Sequence, residues 1–244
     1  MKKIVFTDLD ETLFSSNDIG EPATVDKLNK YHSYSSPKKR ALIDLFESKS
    51  TLVIPVTGRN SESLNRCILK EILECEYSIV SYGMLVLDRK KKPLQDWINL
   101  LHDNYNFCEW ESVINYAYEV IRHDLSHIGD KLNVKIIVDH GIVSHLSIKL
   151  KRKYYDSDIL NEISTYLNSH KFSNFKFHEN DRTFALLPPF CNKAKAVQYL
   201  KNKISNDGDL VFGIGDSTTD IEFMKQADYM IVPRNTQISR GIDD

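Results

Sequence analysis

The sequence predicts an α/β protein, with a Rossmann-like parallel sheet core and an inserted α+β module. Three observations carry this. Short apolar runs alternate with helical stretches from residue 2 to residue 81. The alternation lapses from residue 84 to residue 187, where strand-like runs flank turns. It resumes after Pro188-Pro189. Alternating strands and helices imply right-handed crossovers and parallel pairing. The expected division is therefore one domain from residues 1–83 and 188–244, with residues 84–187 inserted as a second. A chain of 244 residues is long enough for this.

Each element has a local signature. Lys2–Thr7 is an apolar β-rich run that ends in acids, as a buried strand leading to a polar site would. Residues 15–36 are polar and read as a loop. Ser36-Pro37 opens a helix over Lys38–Lys49, with Ala41, Leu42, Leu45 and Phe46 as its expected apolar face. Thr51–Val56 is a second strand, Ser61–Glu74 a helix with Leu64, Ile68, Leu69 and Ile72 inward, and Tyr77–Ser81 a third strand. In the middle segment, Met84–Asp88 and Leu94–Ile98 read as a hairpin, as do Val134–Asp139 and Ile142–Leu150 around His140-Gly141. Phe107–His123 and Ile159–Leu167 have helical periodicity, and Phe175–His178 pairs with Thr183–Leu187. Lys193–Lys203 and Ile221–Gln226 are helices, and Leu210–Ile214 and Tyr229–Val232 are strands.

Composition excludes several classes. Hydrophobic residues at 41% and charged residues at 27% suit a folded core rather than disorder. A net charge of −2 gives no reason to expect nucleic acid or a membrane surface as partner. No apolar run approaches the roughly 18 residues of a membrane span. The four cysteines form no CxxC pair or disulfide framework, so a reducing, cytoplasmic setting is expected. Gly213-Ile214-Gly215 lacks the third glycine of a dinucleotide fingerprint, and there is no P-loop.

Three expected strands end in chemically capable residues: Asp8-Leu9-Asp10-Glu11-Thr12, Thr57-Gly58-Arg59 and Gly215-Asp216-Ser217-Thr218-Thr219-Asp220. Open parallel sheets bind ligands at the carboxyl ends of their strands, so the three segments could meet. Asp8, Asp10, Asp216 and Asp220 would then crowd together. Close carboxylates need a cation, and Mg²⁺ is the expected one for oxygen ligands. An aspartate nucleophile suits phosphoryl transfer through an aspartyl-phosphate. Thr57, with nearby backbone N–H groups such as that of Gly58, could hold phosphate oxygens, and Lys193 could neutralise their charge.

In these residues the sequence resembles a haloacid dehalogenase (HAD) superfamily phosphatase. The first motif of that family, DxDx[TV], matches Asp8-Leu9-Asp10-Glu11-Thr12, and the second matches Thr57. The third best fits Lys193, with Lys195 as a fallback, and the fourth, GDxxxD, matches Gly215-Asp216 and Asp220. The inserted module is similar to the C2B caps of sucrose-phosphate, trehalose-phosphate and Cof-type phosphatases. The resemblance implies that Asp8 attacks phosphorus and that Asp10 acts as general acid and then base. It implies that Thr57 and Lys193 hold the phosphoryl group. It further implies Mg²⁺ at the Asp8 side chain, the Asp10 carbonyl and Asp216, with Asp220 binding it through water or orienting the shell. Three positions depart from the pattern: Glu11 stands where glycine is common, Thr219 where many Cof-like members have asparagine, and Tyr82-Gly83 replaces a frequent Asn-Gly. The expected function is Mg²⁺-dependent hydrolysis of a small phosphorylated metabolite, a sugar phosphate by preference. The alternatives are a phosphotransferase or mutase, or a non-catalytic binding module, on the same scaffold.

Overall fold

A computed structural model describes residues 1–243. The chain forms two compact units, residues 1–98 with 192–244, and residues 99–191.

The first unit starts with β1 (Lys3–Thr7). Its Ile4, Val5 and Phe6 are all buried, so the strand is covered on both faces, as the unbroken apolar run requires. The next strands are β2 (Glu21–Val25) and β3 (Tyr31–Ser35), an antiparallel hairpin inside the stretch expected to be a loop. Its inward residues, Ala23, Thr24, Ser33 and Ser35, are small or polar and leave no apolar alternation to read. Its turn is closed by the Asp26 carboxylate, which accepts from the N–H groups of Leu28 (2.7 Å) and Lys30 (3.0 Å).

Helix α1 (Pro37–Leu45) is capped by Ser36 as expected, but its buried residue is Ile43, and Ala41 and Leu45 face solvent. Strand β4 (Thr51–Pro55) follows. The single helix expected over Ser61–Glu74 is instead two short ones, α2 (Ser61–Leu64) and α3 (Lys70–Leu73). Between them the chain straightens to pair with β2: Val25 N–H donates to Arg66 O at 2.9 Å, and Ile68 N–H to Ala23 O at 2.8 Å. Strands β5 (Tyr77–Val80) and β6 (Leu85–Asp88) pair antiparallel, and α4 (Gln95–Asn104) begins in this unit. Leu94–Ile98 is thus the approach to α4 and its first turn rather than a hairpin strand. The Trp97 indole donates to Met84 O at 3.0 Å and packs against Tyr199, 4.9 Å between ring centroids. These contacts, with the β5–β6 pairing, hold residues 84–98 in the first unit and set its boundary later than the sequence pattern suggests.

The second unit continues with α5 (Phe107–Asp124), β7 (Leu132–Asp139), β8 (Ile142–Leu150), α6 (Ser157–Leu167), β9 (Lys176–Asn180) and β10 (Thr183–Leu187). Its antiparallel sheet has the order β7-β8-β10-β9. Ile114 and Ile121 of α5 and Ile163 of α6 pack with Leu146, Ile148 and Phe184 in one apolar core. The β7–β8 turn uses left-handed His140 (φ 47°) and Gly141 (φ 79°), matching the twist of a tight hairpin. Since side chains alternate along a strand, His145 lies on the sheet face opposite Leu146. It is buried there, with Nδ1 2.8 Å from the Ser144 hydroxyl.

The chain returns to the first unit with α7 (Lys193–Ile204), β11 (Leu210–Ile214), α8 (Ile221–Met224), β12 (Tyr229–Ile231) and α9 (Gln237–Asp243). The parallel sheet has the order β12-β11-β1-β4, so the two ends of the sequence meet at its centre. The start of α7 is held close to the turn after β5. Gly83 has φ +95°, and a Cβ there would lie 2.4 Å from Asn192 O and 2.8 Å from Lys193 N. No helix among the described residues is long and apolar enough to cross a membrane.

Two expectations about stability follow. Gly83→Ala combines a left-handed φ with a backbone collision, so it should destabilise the protein by about 2 kcal/mol or more in urea unfolding. A loss below about 0.5 kcal/mol would contradict the close approach. For His145, burial and then the charge of His178 push the pKa down from 6.5 to about 3. Between these values the unfolded chain binds a proton that the folded chain does not. This contribution is therefore intact above pH 6.5 and falls as pH drops through the window. Between pH 7 and pH 5, wild type should lose about 1–2 kcal/mol more stability than His145→Gln. Equal losses would refute a buried neutral imidazole.

Candidate active site

The carboxyl ends of β1, β4 and β11 and the first residue of α7 lie together in the first unit. Strand β1 continues its pairing one residue further, with Asp8 N–H donating to Ile214 O at 2.8 Å. The chain then turns sharply. Leu9 is buried and its carbonyl accepts from Leu13 N–H (2.9 Å) and Phe14 N–H (3.3 Å). Glu11 takes a left-handed φ of 61°, which explains why glycine suits this position. Its carboxylate accepts from the Ser15 hydroxyl at 2.9 Å, and burial raises its pKa.

Asp8, Asp216 and Asp220 are buried and each offers a carboxylate oxygen within 4.8 Å of the others. Among the described residues no other cluster of three or more such groups is found. The Lys193 ammonium enters this cluster from the start of α7. Its Nζ donates to Asp8 Oδ1 and to Asp220 Oδ1, both at 2.7 Å. The helix is capped by Asn192, whose Oδ1 accepts from Lys195 N–H at 3.0 Å. Lys195 itself is exposed, so of the two lysines it is Lys193 that reaches the acids.

Asp220 is fully engaged. Its second oxygen accepts from Ser217 N–H (3.1 Å) and the Ser217 hydroxyl (3.0 Å). Asp216 Oδ1 accepts from the Thr12 hydroxyl at 3.2 Å, tying β11 to the turn after β1. Burial pushes the Asp8 carboxyl well above the usual range; Lys193 opposes the shift, and Asp220 and Asp216 reinforce it. Burial, then the charge of Asp220, pushes Asp216 up to about 7 against the pull of Lys193 and Thr12. Burial alone would lower the pKa of Lys193, but Asp220 and Asp8 reverse this and raise it. Lys193 is thus a fixed cation, while the acids around it lack sufficient positive charge.

The end of β4 forms the other side. Thr57 is buried, with its N–H donating to Ile79 O at 2.9 Å. Its hydroxyl accepts from Arg59 N–H at 3.1 Å. Gly58 lies under the ring of Tyr82, where a Cβ would come within 2.5 Å of the ring. Tyr82 in turn donates its N–H to Thr57 O at 3.1 Å.

Asp10 differs from the other acids. It is not in the buried cluster, and its half-exposed carboxylate is gripped by Arg59 through Nε (2.7 Å) and Nη2 (2.6 Å). In the sequence Arg59 is only the third letter of a tripeptide, and nothing marks Ser217 or the hydroxyl of Thr12 as partners of the acids. The signal for Arg59 was its place directly after Thr57-Gly58; nothing in the sequence says which acid it meets.

No curated protein matches the chain by sequence. Among solved structures, the C-terminal domain of trehalose-6-phosphate phosphatase from C. albicans is similar at TM-score 0.60 and 17% identity, over 92% of this chain and 73% of that one. Sucrose-phosphatase from Synechocystis, solved with sucrose and phosphate, is similar at TM-score 0.55 and 16% identity, over 100% and 96%. At these identities the likeness is one of fold. The sequence profile of the haloacid dehalogenase-like hydrolases matches residues 5–237. Nearly the whole chain is covered, both strand-end acid motifs fall inside the match, and the chain belongs to the haloacid dehalogenase-like hydrolase family.

Proposed function

We propose that the protein is a Mg²⁺-dependent phosphatase acting on a small phosphate ester, a sugar phosphate by preference. The observation that carries the reading is the Lys193 ammonium, 2.7 Å from both Asp8 and Asp220 inside a buried cluster of acids. One ammonium among the carboxylates of Asp8, Asp216 and Asp220 leaves the cluster short of positive charge. The oxygen donors suit a hard divalent cation. Asp8 and Asp216 would hold it with the Asp10 main-chain carbonyl, and Asp220, already committed to Lys193 and Ser217, would steady the shell. Bound there, Mg²⁺ supplies electrostatic stabilisation of the phosphoryl oxygens.

In this reading Asp8 is the nucleophile, and Lys193 favours its ionised form by direct contact. Thr57 and the Gly58 backbone hold the phosphoryl oxygens together with Lys193. Asp10 protonates the leaving oxygen and later takes a proton from the attacking water. The preference for a sugar phosphate is supported by the fold shared with proteins described as trehalose-6-phosphate phosphatase and sucrose-phosphatase. The free cysteines suit a cytoplasmic setting.

Phosphate release from a panel of sugar phosphates, nucleotides and phospho-acids tests this directly. Release should require Mg²⁺, stop with chelator, and fall by at least about a thousandfold in Asp8→Asn, the scale of losing a nucleophile. Mg²⁺ should raise the melting temperature of wild type and not of Asp216→Asn. Release that survives Asp8→Asn would overturn the nucleophile assignment. No free phosphate, but a phosphorylated product when a second alcohol is supplied, would favour phosphotransfer.

A further inference from the structure

The Arg59–Asp10 pair is more constrained than an ordinary exposed ion pair. Nε and Nη2 of the guanidinium donate to different oxygens of the Asp10 carboxylate, at 2.7 and 2.6 Å, so the two planar groups lie fork to fork. The remaining nitrogen, Nη1, donates to Ser63 O at 3.4 Å, and the guanidinium carbon lies 5.1 Å from the centroid of the Phe14 ring. The arginine backbone is tied as well. Its N–H donates to the Thr57 hydroxyl at 3.1 Å, and its carbonyl accepts from Ser81 N–H at 2.7 Å. The Arg59 side chain is 14% exposed and the Asp10 side chain 45%. One partner is anchored on every side, and the other stands on a turn with solvent beside it.

A two-pronged grip fixes both the position and the plane of the Asp10 carboxylate. The grip also comes from the segment that carries Thr57 and Gly58. Whatever places Thr57 therefore also places the Asp10 carboxylate, through Arg59.

We propose, resting on the phosphatase reading above, that Arg59 is a positioning residue that aims the Asp10 carboxyl at the oxygen leaving phosphorus. In the first half-reaction an Asp8 oxygen bonds to phosphorus as the bond to the leaving oxygen breaks, and that oxygen takes the proton of Asp10. In the second, water bonds to phosphorus as the bond to Asp8 breaks, and Asp10 accepts the proton of the water. The fork uses one lone pair on each Asp10 oxygen, so the proton is carried on a lone pair directed away from Arg59.

A group acting through Asp10 matters most when the leaving oxygen needs a proton. The test compares kcat/KM for the fastest sugar phosphate of the panel with that for 2,4-dinitrophenyl phosphate, whose phenolate leaves without one. Arg59→Met should lose about 100-fold on the sugar phosphate and less than about 5-fold on the dinitrophenyl ester, the lower range of general acid catalysis. Arg59→Lys keeps the charge but not the fork and should fall between wild type and Arg59→Met on the sugar phosphate. In an Asp10→Asn background, adding Arg59→Met should change the sugar-phosphate rate by less than about 3-fold, since the group being aimed is gone. Melting temperatures check folding, and if Arg59→Met does not fold, Arg59→Lys carries the comparison. Equal losses on both esters, or a full further loss in Asp10→Asn, would overturn the proposal and place Arg59 on the phosphoryl group. A wild type that releases no phosphate, or an Asp8→Asn variant that still does, would sink the phosphatase reading and this inference with it.

Discussion

Three buried carboxylates share one buried ammonium, and much of the first unit is arranged around that imbalance. Removing charges from water is costly, and like charges a few ångströms apart repel strongly where the dielectric constant is low. Lys193 offsets part of the cost by bridging Asp8 and Asp220. For this, α7 must begin where β1 and β11 end. Asn192 caps the helix there, and Gly83 lets the turn after β5 approach the first residues of α7 without a side chain in the way. The hydroxyls of Thr12 and Ser217 take up carboxylate oxygens that Lys193 does not. The remaining deficit of positive charge is what the proposed divalent cation would offset.

The backbone carries strain beside this cluster. Glu11, Ser81 and Tyr82 are non-glycine residues with left-handed φ, at the ends of β1 and β5. Such conformations cost on the order of 1 kcal/mol each and persist where the surroundings determine them fully. Here the determinants are visible. Glu11 is held by its N–H bond to Phe14 O, Ser81 by Arg59 O, and Tyr82 by Thr57 O. The β4 and β5 ends are thereby fastened together as one rigid edge, which also fixes Arg59 and through it the plane of Asp10.

The elements legible in the sequence were those whose signal is local. The unbroken apolar runs of β1, β4 and β11 and the helical periods of α5, α6 and α7 all appear in the structure close to their expected bounds. The meeting of Asp8, Asp216, Asp220 and Lys193 follows from fixed offsets to such elements, whereas Asp10 was expected among them and lies on Arg59 instead. Signals that depend on distant partners were not legible. The β2–β3 hairpin buries small polar residues and so shows no alternation. The 61–74 helix breaks because residues 66–68 pair with a strand some forty residues earlier, a competition that helical periodicity cannot register. The inward face of α1 is likewise set by distant partners: Ile43 is buried, while Leu45, although apolar, is exposed. Arg59 stands in a motif whose sequence names no partner, and Asp10, 49 residues away, is one of four acids expected near it.

The sheet order β12-β11-β1-β4 has a consequence for how the chain is made. Strand β1 leaves a ribosome some two hundred residues before one of its two neighbours, β11, which ends at Ile214. Until then one long edge of β1 has no partner, and Asp8 lacks both Lys193 and Asp216. The core of the second unit, by contrast, lies wholly within residues 114–186 and is available for packing well before that. During synthesis the first unit is therefore the later of the two to close. Its open strand edge is the interval in which the nascent protein is most exposed to wrong pairing and to chaperone capture.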